Sequence, residues 1–133
     1  HSGNILIRQD MIKLADFGLS KRIDVATKQS KVLGVIPYID PKRFCVRVGS
    51  ESTLQQDSLN VKSDVYSVGV LLWEISSGRP PFYSEEYDIN LAVKISKGLR
   101  ESIIPGTPER YVKFFTDNRP AMNKVVNELN AII

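Results

Sequence analysis

The stretch Ser63–Ser77 constrains the fold more than any other part of this chain. From Val65 to Ile75 only Ser67, Gly69 and Glu74 are not apolar, so no polar face runs along it at helical spacing. A helix that is apolar nearly all round is a core helix or a membrane span. A span needs about 20 apolar residues, and this run is shorter. It therefore reads as a buried helix with neighbours on every side. Ser63 or Asp64 is expected to cap its start, because a short polar side chain accepts from the free N–H groups of a first turn. Gly78 and then Arg79-Pro80-Pro81 are expected to stop it.

The remaining chain is read around that helix. Asn4–Arg8 and Met11–Ala15 are short apolar runs joined by Gln9-Asp10, the pattern of a small hairpin. Leu19–Lys31 is polar, basic and without period, hence a loop. Gly34–Pro41 reads as irregular, and Val46–Asn60, rich in Ser, Gln and Gly, as a surface excursion. Asp88 is expected to cap a short helix that packs through Ile89, Ala92, Val93 and Ile95 and ends at Gly98. Thr107-Pro108 is expected to open another helix, with Pro in the first turn. Arg119-Pro120 is expected to open the last one, whose stripe is Met122, Val125, Val126, Leu129, Ile132 and Ile133. Strands first and helices afterwards make the class α+β, mainly helical. At 133 residues the chain has room for one domain, 1–133.

Composition excludes some roles. The net charge of +3 is mild and the Lys and Arg residues are scattered. Nucleic-acid binding calls for a concentrated basic stripe, so no nucleic-acid partner is expected, and no membrane partner either. The lone Cys45 fits a reducing compartment. The chain reaches Ile5-Leu6-Ile7 almost at once from His1, which reads as a piece of something longer.

Two polar side chains flank the hairpin pattern: Asn4 before the first run and Asp16 after the second. If the runs pair, both stand at one end. An amide oxygen and a carboxylate are hard ligands, suited to a Mg²⁺ that keeps water and phosphate in its other positions. Taken alone, a polar hairpin end is the plainer reading.

The order of motifs changes that reading. His1-Ser-Gly-Asn-Ile-Leu-Ile7, Ile12-Lys-Leu-Ala-Asp-Phe-Gly-Leu19, Gly34-Val-Ile-Pro-Tyr-Ile-Asp-Pro41, Ser63-Asp-Val-Tyr-Ser-Val-Gly-Val70 and Arg119-Pro120 follow one another. In that order they resemble the large, C-terminal lobe of eukaryotic protein kinases along the whole chain, and most closely the tyrosine-kinase-like group. The resemblance implies an incomplete kinase domain lacking the N-terminal lobe. It implies that Asn4 and Asp16 bind Mg²⁺ and, through it, ATP. It also implies that Leu19 to about Tyr38 is the activation segment, that Asp64 holds the catalytic loop's backbone, and that Arg119 is an ion-pair partner for the end of that segment. Ser20, Thr27 and Ser30, among basic residues of the segment, are candidate phosphosites, although an ordinary solvated loop is the plainer reading. The implied partners are ATP, a protein substrate and the missing N-terminal lobe, and the implied location is cytoplasmic.

The chain also departs from the family. The catalytic Asp of the family's loop lies five positions before the Asn. Counted from Asn4, that is two residues before His1, so no catalytic base is expected within the chain. Lys42 stands where the family has the Glu that pairs with the residue matched by Arg119, and Asp40 is expected to have taken over. Val35 replaces a usual Thr, and Ala121 a usual capping Ser or Thr. The expected function is part of a kinase transferring the ATP γ-phosphate to protein Ser or Thr, less readily to Tyr, with the isolated chain inactive. The alternatives are a binding module that transfers no phosphate, or a non-functional truncated product.

Overall fold

Ile5–Arg8 (β1) and Met11–Leu14 (β2) pair antiparallel, with Ile5 opposite Leu14 and Arg8 opposite Met11. Gln9 and Asp10 turn the chain with φ of 49° and 60°. Positive φ at both central residues is what a two-residue hairpin needs to match strand twist. A single 3-10 turn, Ser2–Asn4, leads into β1. Leu6, Ile7, Met11, Ile12 and Leu14 are all exposed. The computed structural model describes residues 1–16, 35–44, 53–116 and 119–131, with the backbone alone at 53–60 and 110. The chain divides into two compact units, His1–Lys31 and Val32–Ile133.

In the second unit the long helix is α1, Thr53–Ser77. It starts ten residues before the expected cap, so Ser63 and Asp64 lie inside it and cap nothing. The expected surface excursion is thereby corrected over 53–60; residues 46–52 lie outside the described part. The reason is local: between Thr53 and Val68 there is no Gly or Pro to break the helix, and Leu and Gln favour it. A polar composition was compatible with a helix as well as with a loop. The stop falls where expected, with Gly78 at φ +65° and its N–H on the Glu74 carbonyl at 3.0 Å.

Helix α1 is less enclosed than its sequence suggests, since Ile75 is 69% exposed. One side packs Tyr66, Val70 and Trp73 against Tyr38 and Phe115, and another packs Val65 against Phe114 and Val125. Phe114 and Phe115 belong to α3, Glu109–Phe115, and Val125 to α4, Met122–Asn130. Trp73 also donates its indole N–H to the Ser102 carbonyl at 2.8 Å.

Helix α2, Ile89–Ser96, begins at Asp88, whose carboxylate accepts from the Asn90 and Leu91 N–H groups at 2.9 and 3.1 Å. Its packing side is Leu91, Ala92 and Ile95, against Phe82; Ile89 and Val93 are exposed. This corrects the expected face. Five apolar positions leave two possible stripes, and contact with Phe82 selects one. Replacing Asp88 by Ala is expected to lower the urea midpoint with unchanged slope, by less than any core change discussed below.

Two helix starts differ in detail. Pro108, at ψ 132°, is the residue before α3, so Thr107 does not cap it. Ala121 precedes α4 and offers no side-chain cap. On α4, Val125 is buried with Met122 and Leu129 leaning on it, while Val126 faces out; Ile132 and Ile133 lie outside the described residues. The stretch 35–44, expected to be irregular up to Pro41, contains two single 3-10 turns, Ile36–Tyr38 and Pro41–Arg43.

Candidate functional site

The hairpin register fixes where Asn4 and Asp16 stand. Ile5 pairs with Leu14, and the Asn4 carbonyl accepts from the Ala15 N–H at 2.8 Å. Asn4 therefore stands opposite Ala15, and Asp16 is the next residue, at the open end of the hairpin. Asn4 is half-buried and Asp16 exposed. Asp16 has φ +61°, a left-handed conformation that a short polar residue tolerates better than a branched one. An amide oxygen and a carboxylate at one end of a two-stranded sheet form a partial set of hard donors. Among the described residues no group of three or more His, Cys, Asp or Glu could hold a metal by itself. Such a pair suits an ion that takes most of its ligands from water and phosphate.

In the second unit Asp40 and Arg119 form a buried ion pair. Arg119 Nη1 lies 2.8 Å from Asp40 Oδ2 and Nη2 lies 3.0 Å from Oδ1, with the two side chains 2% and 0% exposed. Asp40 precedes the second 3-10 turn and also accepts from the Lys42 N–H at 3.1 Å and from Ser63 Oγ at 2.9 Å. Burial alone would raise the Asp40 carboxyl. The hydrogen bond and charge of Arg119, with the Lys42 N–H and the Ser63 hydroxyl, outweigh that and hold it below the usual carboxylate range. Arg119 Nη1 also donates to the Lys62 carbonyl at 2.9 Å, and its guanidinium sits 5.4 Å from the Tyr66 ring centre. Burial pushes the Tyr66 hydroxyl up to about 12. Lys42 itself is exposed.

Asp64 stands on α1 with its side chain at the surface. Desolvation by neighbouring atoms pushes its carboxyl up, and the charge of Arg43 works against that. Ser20, Thr27 and Ser30 lie outside the described residues. Three site-building side chains went unrecognised in the sequence: Ser67, which donates to the Tyr38 carbonyl at 2.8 Å; Glu74, which accepts from the Tyr38 hydroxyl; and Ser63 as a partner of Asp40. Their spacing was the available signal, because steps of four and seven residues keep one face of a helix.

Comparison with known proteins adds family and relatives. The protein kinase domain family matches residues 1–130. A probable LIM domain-containing serine/threonine-protein kinase of Dictyostelium discoideum is 29% identical over 97% of this chain and 19% of its own length. Wall-associated receptor kinase-like 15 of Arabidopsis thaliana is 36% identical over 75% of the chain and 15% of its own length. Receptor-interacting serine/threonine-protein kinase 2 of Bos taurus is 28% identical over 92% of the chain and 22% of its own length. The chain thus spans under a quarter of the length of these relatives. No solved structure matches it.

Proposed function

We propose, on the premise that this chain belongs to the protein kinase domain family, that it is the large-lobe part of a kinase of the tyrosine-kinase-like group, one that transfers the ATP γ-phosphate to Ser or Thr of a protein substrate. The observation that carries the reading is the placement of Asn4 and Asp16 at one end of the hairpin. The amide oxygen of Asn4 and the carboxylate of Asp16 would hold Mg²⁺, and ATP through it. What the bound ion supplies is neutralisation of the charge on the phosphates.

Phosphoryl transfer rests on positioning and electrostatic stabilisation. These 133 residues hold no match to the Gly-rich loop, to the Lys that pairs with the phosphates, or to the Asp that accepts the substrate hydroxyl proton. The isolated chain is therefore read as inactive, with an N-terminal lobe as the partner that completes it. The serine/threonine acceptor is supported by the names of several relatives. A cytoplasmic location is supported by the lone Cys45. Three departures favour a binding module instead: the exchange to Lys42, Val35 in place of a Thr, and the short stretch before Asn118-Arg119-Pro120. Asp40 pairs with Arg119, so Arg119 keeps an acid partner despite the first of these.

The test is phosphotransfer to protein by the product of the complete native transcript, with Asp16→Ala as the comparison. Mg²⁺-dependent transfer that falls at least about 100-fold in the variant is the expected result, in line with the loss of a charge-stabilising group. Undiminished transfer by the variant, or none by the unaltered product, would overturn the proposal.

A further inference from the structure

The connection between α1 and α2 contains Pro80-Pro81-Phe82-Tyr83-Ser84-Glu85-Glu86-Tyr87-Asp88. Residues 78–88 belong to no helix or strand, so an enzyme that engages them melts neither. Of the five tyrosines, Tyr83 and Tyr87 are 61% and 43% exposed. Tyr38 and Tyr66 are buried and Tyr111 is half-buried. The two exposed hydroxyls differ in their surroundings. That of Tyr87 donates to the Pro81 carbonyl. Burial, and then the charges of Glu74 and Glu101, push it up, and an added anion there would meet the same two carboxylates. The Tyr83 hydroxyl stands 3.5 Å from Arg79 Nη1, at the limit of a hydrogen bond. The Arg79 guanidinium also lies over the Tyr83 ring, 5.4 Å from its centre. Among the described residues Arg79 pairs with no carboxylate.

We propose that Tyr83 is a phosphorylation site, modified by a protein tyrosine kinase with ATP as the donor, and that Arg79 receives the phosphate. The phenolic oxygen attacks the γ-phosphorus. Its bond to phosphorus forms as the bond from that phosphorus to the bridging β-phosphate oxygen breaks. ADP leaves, and the phenolic proton passes to the modifying enzyme's catalytic carboxylate. The added group carries about −1.5 to −2 charges at neutral pH and has three acceptor oxygens. A guanidinium already beside the ring can turn two N–H groups onto two of them. Glu86 and Asp88 follow Tyr83 as an acidic flank, while Glu85 is matched by Lys94 at 2.6 Å. Such a flank suits an enzyme whose peptide groove is basic. Arg79 directly follows the Gly78 stop of α1, so the phosphate would tie the exit of that helix to the turn. Tyr83 is a substrate here whether or not this chain itself transfers phosphate, and the test is therefore independent of the kinase reading.

The experiment treats the unmodified full chain with ATP and a purified protein tyrosine kinase that prefers acidic peptides. Mass spectrometry maps the product, and phosphorus NMR follows the added group through a pH titration. Phosphate is expected first on Tyr83. Tyr83→Phe, which keeps the ring beside Arg79, is expected to lose most of the incorporation. The second ionisation of the added phosphate is expected to lie about 0.5 lower than in Arg79→Gln, a solvent-screened form of the shift that a neighbouring cation gives. An exposed pair adds little stability, so the phosphate's own titration is the readout that a merely structural role of Arg79 would not move. Incorporation first on Tyr87, incorporation spread equally onto the buried Tyr38 and Tyr66, no incorporation, or a phosphate titration indifferent to Arg79→Gln would each overturn the proposal.

Discussion

Replacing Asp40 by Ala is expected to cost the chain about 3–5 kcal/mol, the usual penalty for removing one partner of a buried ion pair. The guanidinium of Arg119 would stay buried with its charge unmatched, because both side chains are almost wholly out of solvent. A double change to apolar residues, Asp40→Leu with Arg119→Met, is expected to recover most of that loss, since the desolvation cost then disappears with the charges. Urea unfolding of the three variants measures both. The same pair sets an acid limit. The Asp40 carboxyl is held below its ordinary value in the folded chain, so the unfolded chain takes up the proton first as pH falls. The stability it contributes is complete above about pH 5 and declines as pH drops through the ordinary carboxylate value toward the lowered one. In Asp40→Asn that part of the acid sensitivity is expected to vanish.

The second large effect is expected at Gly69. A Cβ there would lie 2.6 Å from the backbone carbon of Phe114 and 2.6 Å from the backbone nitrogen of Phe115. Neither atom can turn aside as the end of a side chain could, so α3 as a whole would have to move off α1. Within a helix, Gly→Ala ordinarily gains up to about 1 kcal/mol. Overpacking costs about 1–3 kcal/mol and sometimes more. With backbone on the receiving side, the clash wins, and Gly69→Ala is expected to destabilise by roughly 1–2 kcal/mol net, Gly69→Val by more. Thermal or urea unfolding decides it, and a stabilised Gly69→Ala would mean that α1 and α3 are farther apart than described.

The hairpin could be read from the sequence because every cue agreed: two apolar runs, two polar residues between them, and Asn4 and Asp16 outside. The cap at Asp88 and the stop at Gly78 were legible for the same reason, each being a residue type with one physical use at that point. The start of α1 was not. Ser63 and Asp64 look like caps, but nothing upstream forbids a helix, and a polar helix carries no apolar period to announce itself. The packing side of α2 was illegible because five apolar residues in eight positions fit two faces, and only the contact with Phe82 distinguishes them. The Asp40–Arg119 pair joins residues 79 positions apart. Residue pattern alone does not point to it; only Lys42, standing where the family has a Glu, leaves Arg119 in need of another acid.

The most direct measurement of the central claim, that Asn4 and Asp16 share one metal–nucleotide site, is paramagnetic broadening of amide signals on adding Mn²⁺ and ATP. Strands β1 and β2 separate the open end of the hairpin from its turn by four residues each, roughly 13 Å at the usual rise. An ion at Asn4 and Asp16 therefore acts strongly on Asn4, Ala15 and Asp16 and weakly on Gln9 and Asp10. The expected result is selective broadening at the open end that requires ATP and is lost in Asp16→Ala. Broadening that is uniform, centred elsewhere, or indifferent to Asp16→Ala would contradict the claim.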